Sequence, residues 1–144
     1  QTTARFELKK VSFPIVIVIF KYFGRSNLLM IYEEQILSRI QALKELVPEL
    51  KPVRTEQLRV YFGTEKKKSL DIPVDNKARI FYDNPFAFAL WIDEDYFDKS
   101  THAEQQRILI HELAHVLFNR EEHDAAFENT IETYLNKVRT KEGR

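Results

Sequence analysis

Ile108-Leu109-Ile110-His111-Glu112-Leu113-Ala114-His115-Val116-Leu117-Phe118 is apolar on nearly every side, and its three ionisable residues fall together. A helix with that pattern lies inside a domain and not on its surface. Thr101-His102-Ala103-Glu104 has the spacing of a capping box, so the helix is expected to begin near Thr101. Asn119 tolerates the left-handed conformation that ends helices, so the helix should stop there. Asn119-Arg120-Glu121-Glu122 repeats the capping-box spacing and predicts a second helix starting almost at once. Along that helix Phe127, Ile131, Tyr134, Leu135 and Val138 form one apolar stripe.

The rest of the chain reads outward from this pair. Residues 4–10 and 15–22 look extended. Lys9-Lys10 followed by Val11 to Phe20 resembles a leader segment superficially, but it contains Pro14 and is shorter than the roughly 20 residues of a membrane span. The β-branched run Val16 to Ile19 favours a buried strand instead. From about Asn27 to Leu50, apolar residues recur at helical spacing until Pro48 and Pro52. Leu58–Phe62 reads as a strand and Gly63–Lys68 as a loop. Two strands are expected at Ala78–Tyr82 and Phe86–Ile92 around an Asp83-Asn84-Pro85 turn. Together these predict one α+β domain over residues 1–144. It has a small mixed or antiparallel sheet, a helix in the N-terminal half, a central helix carrying the chemistry and a closing C-terminal helix.

Composition removes several function classes. The 144 residues are 44% hydrophobic and 31% charged, as in ordinary globular domains. There is no cysteine, so a disulfide framework, a cysteine zinc ribbon and a thiol nucleophile are all excluded. Lys+Arg and Asp+Glu both total 22, so charge does not point to nucleic acid. Lys66-Lys67-Lys68 and the stretch from Lys137 to Arg144 read as a solvated loop and terminus. The compartment stays open, with cytoplasm favoured over export, and the oligomeric state is not readable.

His111 and His115 lie one helical turn apart on one face, with Cβ atoms about 5–6 Å apart. Two imidazoles so placed can converge on one Zn²⁺ at about 2.0–2.1 Å from each nitrogen. Glu112 points to a neighbouring face, from which it can take a proton from an activated water and later deliver it to a leaving amine. This is the mechanical reason for the H-E-x-x-H spacing. Three of the chain's four histidines lie between 111 and 123. Three ionisable residues on an apolar helix are costly unless they are paired or metal-bound. His102 stands in a polar first turn and reads as a surface residue.

A catalytic zinc takes a third protein ligand and keeps one position open. Glu121, Glu122, His123 and Asp124 are the candidates. If the second helix already runs through them, His123 and Asp124 share the face of Phe127, whereas Glu122 falls opposite and serves the cap. His123 therefore joins His111 and His115 as the expected metal set, with Glu112 as the catalytic residue. Asp124 is expected either to orient an imidazole or to sit as a first-turn acid. The segment Ala87–Asp93 is expected to be an edge strand that could pair with an extended peptide, with Phe88 or Trp91 shaping a pocket. Packing is the better reading for Trp91 and Tyr134.

These motifs resemble the zincin metallopeptidases. His123-Asp124-Ala125-Ala126-Phe127 looks like the H-D/G/S-x-x-F segment of the WLM, SprT-like and YgjP-like groups, in which that histidine is the third zinc ligand. The spacer from His115 to His123 is longer than in WLM and YgjP-like sequences, and there is no cysteine ribbon of the SprT-like kind. A second resemblance, to ImmA/IrrE-type gluzincin-like proteases, would promote Glu121 or Glu122 as the third ligand. A small endoribonuclease family with related histidine spacing has Gly where this chain has Glu112. The resemblance implies zinc-dependent hydrolysis of peptide bonds in a protein or peptide substrate. The alternative is a catalytically silent zincin-fold module that keeps the zinc.

Overall fold

The computed structural model describes residues 31–84 and 87–143. The strands expected at 4–10 and 15–22, and the start of the helix expected from Asn27, lie outside the described residues. Helix α1 runs through residues 31–46. Tyr32, Ile36, Ile40, Leu43 and Val47 recur every three or four residues and are all buried, so the stripe predicted from spacing faces the core. The α-helix stops short of Leu50 because Pro48 disfavours helical backbone at the preceding Val47, whose ψ is 87°. A 3-10 turn, Pro48–Leu50, follows instead. Buried Lys44 ties α1 to that connection, its Nζ donating to the Val53 carbonyl at 2.5 Å.

Strand β1, Leu58–Phe62, is followed by a short helix α2, Thr64–Ser69, where a loop was expected. No residue of α2 is buried, so it carries no apolar stripe from which periodicity could reveal it. Strands β2, Ala78–Asn84, and β3, Ala87–Ile92, complete a mixed sheet among the described residues, in the order β1-β3-β2. β1 and β3 are parallel with Val60 opposite Leu90, and β2 and β3 are antiparallel with Ile80 opposite Leu90.

The segment Ala87–Asp93 is thus corrected from an edge to the centre of the sheet. Ala89, Leu90, Trp91 and Ile92 are all buried, which two covered faces and two paired edges require. Leu58, Val60, Leu90 and Ile92 join the core, with Ala78 and Ile80 packed against it. On the other face Trp91 Nε1 donates to the Gly63 carbonyl at 3.0 Å, and Lys67 lies 4.8 Å from the indole ring.

Helix α3, Glu94–Lys99, is capped by Asp93, whose Oδ1 accepts from Tyr96 N at 3.1 Å. Helix α4, His102–Phe118, starts as expected, with Thr101 Oγ1 accepting from Glu104 N at 3.1 Å. It ends at Asn119 in the left-handed region, φ 50° and ψ 51°. Arg39 on α1 is tied to it, donating to Gln105 Oε1 at 2.7 Å. Helix α5, Ala125–Lys141, begins later than predicted. Residues 120–124 are not helical, and Asp124 is the N-cap, its Oδ1 accepting from Phe127 N at 2.9 Å. Asp124 outcompetes the Asn119–Glu122 capping box because Asn119 is already used to terminate α4, so Glu122 is not a cap. The α5 stripe of Phe127, Ile131, Tyr134, Leu135 and Val138 is buried as read from the sequence.

The described residues form an α+β fold with a small mixed sheet on which α4 packs through β2, while α5 packs on α4. No helix among the described residues is long and apolar enough to cross a membrane.

Candidate metal centre

The α4 helix places His111 and His115 on one face with their Nε2 atoms 3.0 Å apart. The left-handed residue Asn119 then turns the chain back over the helix end, where Arg120 N donates to the His115 carbonyl at 3.2 Å. That turn brings His123 over the same face, its Nε2 lying 2.9 Å from His115 Nε2 and 3.2 Å from His111 Nε2. The three residues foreseen from sequence are brought together. The route differs from the helical phase that suggested His123, because the residue sits on a loop.

One tautomer follows directly from geometry. His115 Nδ1 lies 2.8 Å from the Arg120 carbonyl, and a carbonyl can only accept, so Nδ1 carries the proton. In the neutral ring this leaves the Nε2 lone pair facing the other two histidines. Burial depresses His111 to a pKa of about 4, helped by its two histidine neighbours and Arg107. Burial also pulls His115 below its ordinary value, against the Arg120 carbonyl. Both are therefore neutral near pH 7, the form that binds metals.

This donor set fits a metal ion. Three imidazoles meeting nitrogen to nitrogen are poor partners for one another, since the Nδ1–H of His115 is used elsewhere and its Nε2 can only accept. A shared cation satisfies the facing lone pairs, and imidazole suits zinc, copper, iron and nickel alike. The ligand-capable nitrogens of His111, His115 and His123 all lie within 4.8 Å of one another. Glu121 and Glu122 are exposed and stand outside that cluster. His102 is also outside it, on the surface 4.0 Å from the Glu142 carboxylate.

Glu112 projects beside the imidazoles and is 8% exposed. Burial pushes its pKa up to about 8, opposed by a hydrogen bond from Ile80 and by the charge of Arg79. Ile80 N donates to Glu112 Oε1 at 2.9 Å, so strand β2 fixes one carboxylate oxygen. Among the described residues nothing binds the other oxygen. A cleft of about 680 Å³ opens over the group. Residues 78–81 of β2 and Phe88 form one wall, and α4 with the 119–123 turn forms the other.

Sequence reasoning left the role of one contributor open and missed another. Among the described residues Asp124 binds no imidazole; its Oδ2 accepts from Arg120 Nη2 at 2.6 Å while Oδ1 caps α5. Phe127, read only as part of a stripe, lies with its ring centroid 4.8 to 5.7 Å from all three imidazoles. The Asp-x-x-Phe spacing after His123 is itself an N-cap followed by a first buried residue, and that signal could have located the helix start.

No curated protein and no solved structure matches the chain. The family described as "Putative phage metallopeptidase" matches residues 31–142, from α1 through α5 and thus through the whole imidazole cluster. The chain belongs to this metallopeptidase family.

Proposed function

We propose that the protein is a zinc-dependent metallopeptidase in which His111, His115 and His123 hold the metal and Glu112 is the general base. The observation that carries this reading is the meeting of three imidazole nitrogens beside a buried carboxylate, held by Ile80 N, in an open cleft. Three histidine donors also favour the WLM, SprT-like and YgjP-like arrangement over a gluzincin-like one using Glu121 or Glu122.

Zinc at this position supplies a Lewis acid that polarises the scissile carbonyl and acidifies water. The charge of a dication held by the three imidazoles would favour the ionised carboxylate over the buried neutral acid. Glu112 would then take the proton of the attacking water on the oxygen that Ile80 does not bind and return it to the leaving amine. Its other oxygen stays anchored to Ile80 N, which keeps the carboxylate from joining the metal set. Among the described residues β2 is an edge strand, and the Ile80 N–H points off the sheet toward the site. An extended peptide can therefore lie along β2, using main-chain hydrogen bonds in place of the pairing first assigned to Ala87–Asp93.

The test is zinc content and cleavage of a denatured protein by wild type and Glu112→Gln, both loaded with zinc. Stoichiometric zinc in both, with cleavage only by wild type, is the expected result. Undiminished cleavage by zinc-loaded Glu112→Gln would refute the mechanism, and stoichiometric zinc with an inert wild type would favour a binding module.

A further inference from the structure

We propose that Phe127 and Asp124, at the first turn of α5, are the positioning residues that set metal affinity at the three-imidazole site. The inference rests on the metal-binding reading above and adds the residues that preorganise it. Phe127 is 2% exposed, and a single ring touches the whole cluster. It stacks on His115 at 4.8 Å and 27°, meets His111 edge-on at 5.4 Å and 86°, and packs against His123 at 5.7 Å. Each imidazole can turn about its side-chain torsions, and a wall of aromatic carbon on one side confines all three rotations.

His123 needs more than a wall, because it sits on a non-helical connection. That connection is held at both ends. The His115 Nδ1–H to Arg120 carbonyl bond fixes its start to α4. Asp124 fixes its end, accepting from Phe127 N with one oxygen and from Arg120 Nη2 with the other. Asp124 thus links the residue that orients His115 to the residue that backs all three rings. Losing either Phe127 or Asp124 leaves the same donors but spreads them over more conformations, and outer-shell losses of this kind typically weaken metal binding by about 10–100-fold.

The experiment measures zinc affinity by chelator competition on the full chain, with the visible spectrum of the cobalt-substituted protein as second readout. Phe127→Leu and Asp124→Ala are compared with Ile131→Val, a core truncation one turn further along the same buried stripe. Phe127→Leu is expected to weaken zinc about tenfold and to shift or broaden the cobalt bands. Asp124→Ala should lose several-fold, and Asp124→Asn, which keeps a capping oxygen, should recover part of it. Ile131→Val should lower the melting temperature without changing either readout. Wild-type zinc affinity and cobalt spectrum in both Phe127→Leu and Asp124→Ala would overturn the proposal. Equal affinity losses in Phe127→Leu and Ile131→Val would also overturn it, by making the effect a general one of core stability. A wild type that binds no zinc overturns the metal reading as well, whereas tight wild-type binding that every variant shares overturns this inference alone.

Discussion

Two glutamates do the same thing at opposite edges of the described sheet, yet only one sits in a chemical environment. Glu33 on α1 accepts from Val60 N at 2.8 Å, and Glu112 on α4 accepts from Ile80 N at 2.9 Å. Val60 and Ile80 lie on one row of the sheet, both opposite Leu90. Each helix thus pins one edge of the described sheet with a carboxylate, which satisfies a backbone N–H that no described strand pairs. The difference is the second partner. Glu33 also accepts from Arg59 at 3.0 Å, so its charge is compensated and its role ends at pinning. Among the described residues Glu112 has no such hydrogen-bonded cation; it is deeply buried, and burial pushes its pKa up to about 8. The same fold device becomes a candidate base where a hydrogen-bonded arginine gives way to three imidazoles able to hold a cation.

The largest effect should separate the two carboxylates in activity. Glu112→Gln is expected to lower kcat for peptide cleavage by about 10²–10⁴-fold, the range for a positioned acid–base group. Glu33→Gln in the same assay should stay at the wild-type rate, and parallel losses would erase the distinction. Next, His123→Ala should weaken zinc by more than the roughly 100-fold ceiling of outer-shell changes. His102→Ala, on the surface of the same helix, should bind zinc as wild type does in the same chelator titration.

Metal removal gives a smaller effect. With free zinc at about 100 times Kd, stripping it should cost about 2.7 kcal/mol of unfolding free energy. The increment, read from denaturant curves with and without chelator, should be the same in Glu33→Gln, because that carboxylate does not touch the site. The smallest effect belongs to the structural contact itself. Glu33→Gln should cost about 1 kcal/mol in a urea titration, since an amide oxygen can still accept from Val60 N but the charge-assisted partner is lost. A loss of several kcal/mol would mean that the edge contact carries more of the fold than its geometry indicates.

What could be read in advance follows the range of the forces involved. Helix α4 was legible because its limits are local: Thr101 caps it, Asn119 ends it, and its apolar surroundings predict burial. The stripes of α1 and α5 were legible for the same reason. Helix α2 was not, since a short exposed helix has no apolar period. The start of α5 was misread because two acceptor-bearing stretches competed, and the choice depended on Asn119 already serving α4. Strand order is a long-range property, and alternation within Ala87–Ile92 cannot report it. The unbroken apolar run Ala87-Phe88-Ala89-Leu90-Trp91-Ile92 was nonetheless the signature of a strand covered on both faces. The meeting of His111 and His115 needed only helix geometry. The approach of His123 needed the left-handed turn at Asn119, the Arg120 carbonyl and the Asp124 cap, none of which acts through sequence period.

The central claim is that three imidazoles, and no carboxylate of the chain, surround the metal. Zinc-edge X-ray absorption on the loaded protein tests it directly. The account predicts three imidazole nitrogens at about 2.0–2.1 Å with one oxygen from solvent, and a loss of one imidazole in His123→Ala. A spectrum with two imidazoles in the wild type, unchanged by His123→Ala, would contradict it.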